Sequence, residues 1–153
     1  MKDVSHVKQQ LLDFCNKYVN DKLNKLKIQI KLIQESLLNE TKSSAGDKHE
    51  TGRAMIQLER EKIGKQLLEA EKLKELVGRI DIKNSSKFIR LGSLVVTSQA
   101  NYFMAISVGE INVENYCFFS VSLDTPIGKL LIGKKKNENV FFKGKEILIQ
   151  NVF

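Results

Sequence analysis

The sequence predicts an α+β protein: a long N-terminal antiparallel coiled-coil hairpin followed by a small α+β domain with an antiparallel sheet. Three observations predict it. Across residues 1–80 the apolar side chains recur at alternating steps of three and four, the spacing of a helical seam. Small and polar residues interrupt that pattern at Thr41-Lys42-Ser43-Ser44-Ala45-Gly46-Asp47-Lys48, as a connection between two helices does. From about Ile82 onward the period changes, and runs rich in Val, Ile, Phe and Tyr replace it.

The first helix is expected to carry its seam on Val4, Val7, Leu11, Phe14 and Tyr18. After a one-residue phase shift the seam resumes on Val19, Leu23, Leu26, Ile30, Ile33 and Leu37. The second runs from about Glu50 to Arg79, with Ile56, Ile63, Leu67, Ala70, Leu73, Leu76, Val77 and Ile80 as its apolar stripe. Two such helices with a short connection fold back antiparallel. At 1.5 Å per residue each arm reaches roughly 45–60 Å, and the tip falls at about residues 41–50. The domain from 81 to 153 is expected to hold strands at Lys87 to Thr97, Asn101 to Val108, Tyr116 to Ser122, Val140 to Phe142 and Glu146 to Phe153. Asp124-Thr125-Pro126-Ile127 reads as a short helix start, with Asp124 or Thr125 capping and Pro126 in the first helical position. Ile127, Leu130 and Leu131 would face the sheet, and Gly133 would end the helix.

Composition excludes several classes. The 153 residues hold 25 Lys+Arg and 18 Asp+Glu, a net charge of +7, which suits a polyanionic partner without requiring one. The excess is divided between the halves, 16 basic against 12 acidic residues in 1–80 and 9 against 6 in 81–153. No apolar run approaches the roughly 20 residues of a membrane helix. Met1-Lys2-Asp3-Val4 does not open a secretory signal, so a cytoplasmic protein with no membrane role is expected. Cys15 and Cys117 stand far apart, which argues against a disulfide framework or zinc site. Gly128-Lys129-Leu130-Leu131-Ile132-Gly133-Lys134-Lys135 nearly matches a phosphate-binding loop. It lacks the Ser or Thr that binds Mg²⁺, so neither a nucleotide site nor any other small-molecule substrate is expected.

Chemistry concentrates at the tip, where Gly46-Asp47-Lys48-His49-Glu50 spaces two carboxylates three residues apart. Two readings are open. In one, Asp47 caps the second helix with Glu50 as its capping-box partner; in the other, the pair offers oxygen ligands to a hard cation. Mg²⁺ commonly takes only one or two protein carboxylates and completes its shell elsewhere.

A helical hairpin with Gly-Asp-x-x-Glu at its tip, followed by Asp124-Thr125-Pro126-Ile127-Gly128-Lys129-Leu130-Leu131-Ile132-Gly133-Lys134-Lys135, resembles the bacterial Gre transcript-cleavage factors over nearly the whole chain. The resemblance implies an FKBP-like C-terminal domain docking at the mouth of the secondary channel of RNA polymerase, with Asp124 and Pro126 in the docking segment. It implies a hairpin reaching the RNA 3′ end in backtracked complexes, and Asp47 and Glu50 as the catalytic, metal-facing pair. These would help to hold a Mg²⁺ shared with the polymerase, so that the chain is an accessory to cleavage and not an enzyme alone. Lys22, Lys25, Lys27 and Lys31 are candidates to lie beside RNA. The chain departs from the family at Lys48 and at Thr51-Gly52-Arg53-Ala54. Lys48 and Arg53 could pair with the carboxylates or face RNA phosphates. A non-cleaving channel regulator and a plain coiled-coil interaction module are the alternatives.

Overall fold

The computed structural model describes residues 1, 3–42 and 46–153, with the side chains of 40–50 outside that description. Two helices come first, α1 (Val4–Lys42) and α2 (Gly46–Gly78). Among the described residues six strands and one short helix follow: β1 (Leu94–Thr97), β2 (Asn101–Ala105), β3 (Gly109–Val113), β4 (Tyr116–Ser122), α3 (Pro126–Leu131), β5 (Asn139–Phe142) and β6 (Lys145–Val152). The chain forms two compact units, one of Met1–Tyr18 with Glu75–Phe153, the other Val19–Lys74. The sheet unit thus includes the start of α1 and the end of α2, whereas the change of secondary structure itself falls just past Gly78.

In the hairpin unit, Val19, Leu23 and Leu26 of α1 and Ile63 and Ala70 of α2 are buried. Ile30, Ile33, Leu37, Ile56, Leu67 and Leu73 are half-buried. The Lys74 ammonium donates to the Asn20 side-chain carbonyl, pairing the two helices in the antiparallel sense. Each helix buries one stripe and leaves its charged faces in water, so packing and not propensity holds the pair.

α1 opens on a cap. The Asp3 carboxylate accepts from the His6 amide at 3.0 Å, and the Asp3 carbonyl accepts from Val7 N at 3.1 Å. Here the structure corrects the expected seam. Phe14 and Tyr18 are 45% and 39% exposed, while Cys15 is fully buried. The buried row runs Val7, Leu11, Cys15, Val19, Leu23, in steps of four with no phase skip. Cys15 thus takes the buried place expected of Phe14, one position along the helix. Above Leu23 the expected alternation of three and four holds through Leu37.

The sheet order is β3-β4-β2-β1-β6-β5. Every neighbouring pair is antiparallel except β2 with β4, which run parallel, so the sheet is antiparallel-dominated, as expected, with one parallel pair. The parallel pair follows from β3, a strand absent from the expectation. The segment expected as one strand to Val108 ends at Ala105, and Gly109–Val113 returns as the hairpin partner of β4. Glu114 takes φ 55° in the turn between them, a conformation usually left to Gly or Asn, which hides the turn from sequence patterning. The strand expected from Lys87 begins at Leu94. Residues before it make only the isolated bridge Phe88–Lys135.

Two faces of the sheet are packed. The cross-strand row Leu94–Phe103–Ser120 is buried, and Ser120 Oγ lies 3.6 Å from Cys15 Sγ, so this face meets the start of α1. On the other face Val95, Tyr102, Met104, Ile147 and Ile149 form a cluster with Ile127 and Leu131 of α3. The short helix is built as expected. Thr125 caps it by accepting from Gly128 N at 3.1 Å, Pro126 occupies its first turn, and Gly133 follows at φ 79°.

Candidate functional site

The residues singled out in the sequence fall on two separate elements. Asp47, Lys48 and Glu50 occupy the first turn of α2, immediately after the connection from α1; their side chains lie outside the described residues. Gly46 is already helical, so Asp47 stands at a helical position and not ahead of the helix as a cap residue. Positions three apart on an α-helix are neighbours on its surface. The first turn also carries amides without intrahelical partners, so negative charge is favoured there. Arg53, three positions past Glu50, is exposed, as is Ala54, while Gly52 is half-buried. Lys22, Lys25, Lys27 and Lys31 are all exposed on α1.

Asp124 and Pro126 share one corner of the sheet unit, where β4 turns into α3. Ser122 organises it. The Ser122 hydroxyl donates to the Asp124 carboxylate, and the Ser122 carbonyl accepts from Thr125 N at 3.3 Å and Thr125 Oγ1 at 2.6 Å. Asp124 and Pro126 themselves are exposed. Gly128 is the steric requirement of this corner. A Cβ there would stand 2.2 Å from the Ser122 carbonyl oxygen and 2.9 Å from Thr125 Oγ1. The turn therefore admits α3 only because Gly128 has no side chain, a role its place beside Pro126 did not reveal.

The near match to a phosphate-binding loop is dissolved by the same geometry. Gly128 to Leu131 is helix and Gly133 lies beyond its end, the reverse of a strand-loop-helix cradle. Neither cysteine is prepared for nucleophilic chemistry. Burial pushes the Cys15 thiol up, with hydrogen bonds from Ser120 and the Ile106 backbone opposing it. Burial, followed by the Glu110 carboxylate, raises that of Cys117. Raised values mean little thiolate at neutral pH. Among the described residues no group of three or more His, Cys, Asp or Glu side chains could hold a metal ion. No helix among the described residues is long and apolar enough to cross a membrane.

Two arrangements escaped the sequence reading. Lys8 is 4% exposed in the sheet unit, with the charges of Arg90 and Asp81 acting on it. Its position beside Val7 in the buried row of α1 is visible only once Cys15 sets the register. Asp81 receives Asn84 Nδ2 at 2.7 Å, Lys83 N at 2.9 Å and Asn84 N at 3.2 Å, and these bonds hold its carboxyl below the usual range.

No protein-family model matches the chain, and no curated protein matches it. A solved structure described as that of the transcription factor Gfh1 aligns with 90% of this chain and 92% of its own, at 16% identity and a TM-score of 0.36. Similarity at that level decides nothing about activity.

Proposed function

We propose that this chain is a transcription elongation factor of the Gre type, which inserts its helical hairpin into the secondary channel of RNA polymerase and stimulates cleavage of nascent RNA in backtracked complexes. The observation that carries the reading is the joint placement of two motifs. Gly46-Asp47-x-x-Glu50 opens the second helix of a hairpin, and Asp124-Thr125-Pro126-Ile127-Gly128 makes the strand-to-helix corner of the α+β unit that follows. In this reading Asp124 and Pro126, exposed at that corner, contribute to docking on the polymerase.

The donor chemistry at the start of α2 fits Mg²⁺: two carboxylates are hard oxygen ligands, and two are the usual protein share of such a site. When bound, the ion would polarise the phosphodiester and lower the pKa of a water. Asp47 and Glu50 supply the negative charge that holds it, three positions apart on one helical turn. The polymerase supplies the remaining ligands and the RNA. Arg53 and Lys48 add positive charge within a turn of the pair, suited to RNA phosphates. A second reading, a channel-binding regulator without cleavage, is favoured by the same Arg53 and Lys48, because cations beside the carboxylates compete with the metal.

The test uses backtracked elongation complexes assembled with polymerase from the source organism. The native chain with Mg²⁺ shortens the RNA, and the Asp47→Ala/Glu50→Ala variant binds polymerase without shortening it. Binding by both with no shortening by either selects the regulator. Absence of binding by both overturns the whole reading.

A further inference from the structure

Outside the candidate site, the sheet unit contains a second concentration of chemistry. A cavity of about 300 Å³ is lined by Lys87, Lys135, Lys136, Asn151 and Val152. The bridge between Phe88 and Lys135 is antiparallel, so Lys87 and Lys136 flank it on the two opposed segments. Like charges opposed across neighbouring strands destabilise the pairing. None of the three ammonium groups makes an ion pair among the described residues. The carboxylate of this turn, Glu138, accepts from the Lys135 backbone amide at 2.6 Å.

The backbone that carries these lysines is pinned. Ile89 N donates to the Lys134 carbonyl at 2.8 Å and Gly133 N to the Ile89 carbonyl at 2.8 Å. Asn137 N donates to the Ile149 carbonyl at 2.8 Å, with Asn137 itself at φ 73°. The lysines therefore sit on a fixed frame, unlike a basic tail whose ordering would cost entropy on binding.

We propose that this cleft binds the phosphodiester backbone of a nucleic acid, independently of the carboxylate pair on α2. Three ammonium groups and one carboxamide are the donors such a backbone uses, and neutralised phosphates release counterions. A single small anion is better matched by the planar fork of arginine, which the cleft lacks.

Fluorescence anisotropy of the full chain with a labelled single-stranded RNA of about 20 nucleotides tests the assignment. The Lys87→Gln/Lys135→Gln/Lys136→Gln variant is compared with Lys129→Gln/Lys143→Gln/Lys145→Gln, which removes equal charge from exposed lysines elsewhere. The cleft variant loses affinity about tenfold or more, and its salt slope falls by about two. The control loses less than about threefold. Equal losses in both variants would reduce the effect to bulk charge and overturn the proposal, as would native affinity in the cleft variant. Displacement of RNA by millimolar inorganic phosphate at constant ionic strength would make this a single-anion site instead. Polyglutamate binding as tight as RNA, and equally sensitive to the cleft variant, would assign it to an acidic protein.

Discussion

The two compact units spend their apolar residues differently. The sheet unit packs both faces of its sheet and fully buries Phe103, Phe118, Leu94, Met104 and Ile149. The hairpin unit buries one seam and exposes Ile28, Leu32, Met55, Leu58 and Leu68 by more than half each. In the first, side chains are buried on both faces of the sheet; in the second, one stripe of each helix is buried. The difference teaches where sequence change is costly. The sheet unit fixes geometry, while the hairpin leaves most of its surface free to be set by a partner.

The largest expected effect lies in the sheet unit. Phe118 is fully buried on β4, and Phe118→Ala is expected to cost about 3–5 kcal/mol, read as a lowered urea midpoint. A loss under about 1 kcal/mol would break the contrast between the units. Next is Gly128→Ala. Its new Cβ would meet the Ser122 carbonyl at 2.2 Å, and overpacking of this kind costs about 1–3 kcal/mol. The same replacement in the hairpin has the opposite sign. A Cβ on Gly64 meets no atom within 4 Å, so Gly64→Ala is expected to stabilise α2 by about 0.5–1 kcal/mol. Amide exchange in α2 should slow while exchange in β2 and β4 stays as it was.

The smallest effect is a pH dependence. Burial first, and Arg90 second, hold the Lys8 ammonium below the ordinary lysine value of 10.5, with Asp81 opposing. The unfolded chain then binds more protons between the two values, so stability rises with pH across that window. Lys8→Met removes this rise. The variant should be the more stable at neutral pH, and its advantage should shrink as pH approaches 10.5. An advantage that is constant with pH would show that packing, not charge, is responsible.

The hairpin and the corner at Thr125 were legible because local rules set them: seam spacing, a proline in the first helical turn and a glycine beyond its end. The register of α1 near Cys15 was not, because a small thiol fits against Ser120 where Phe14 does not, and only the sheet reveals that. β3 escaped because its turn uses Glu114 at positive φ. The parallel pairing of β2 with β4 is a long-range consequence of that turn. At the candidate site, Asp47 and Glu50 were marked by spacing alone, whereas the steric need for Gly128 and the convergence of Lys87 with Lys135 and Lys136 required the folded chain.

The most direct test of the account is the Mg²⁺ dependence of RNA shortening in backtracked complexes, measured with the native chain and with the near-isosteric Asp47→Asn/Glu50→Gln variant. The account predicts that the native chain lowers the Mg²⁺ concentration needed for half-maximal cleavage, and that the variant, bound equally well to polymerase, leaves it where polymerase alone sets it. An identical Mg²⁺ dependence with the native chain and with the variant would contradict a metal-holding role for this pair.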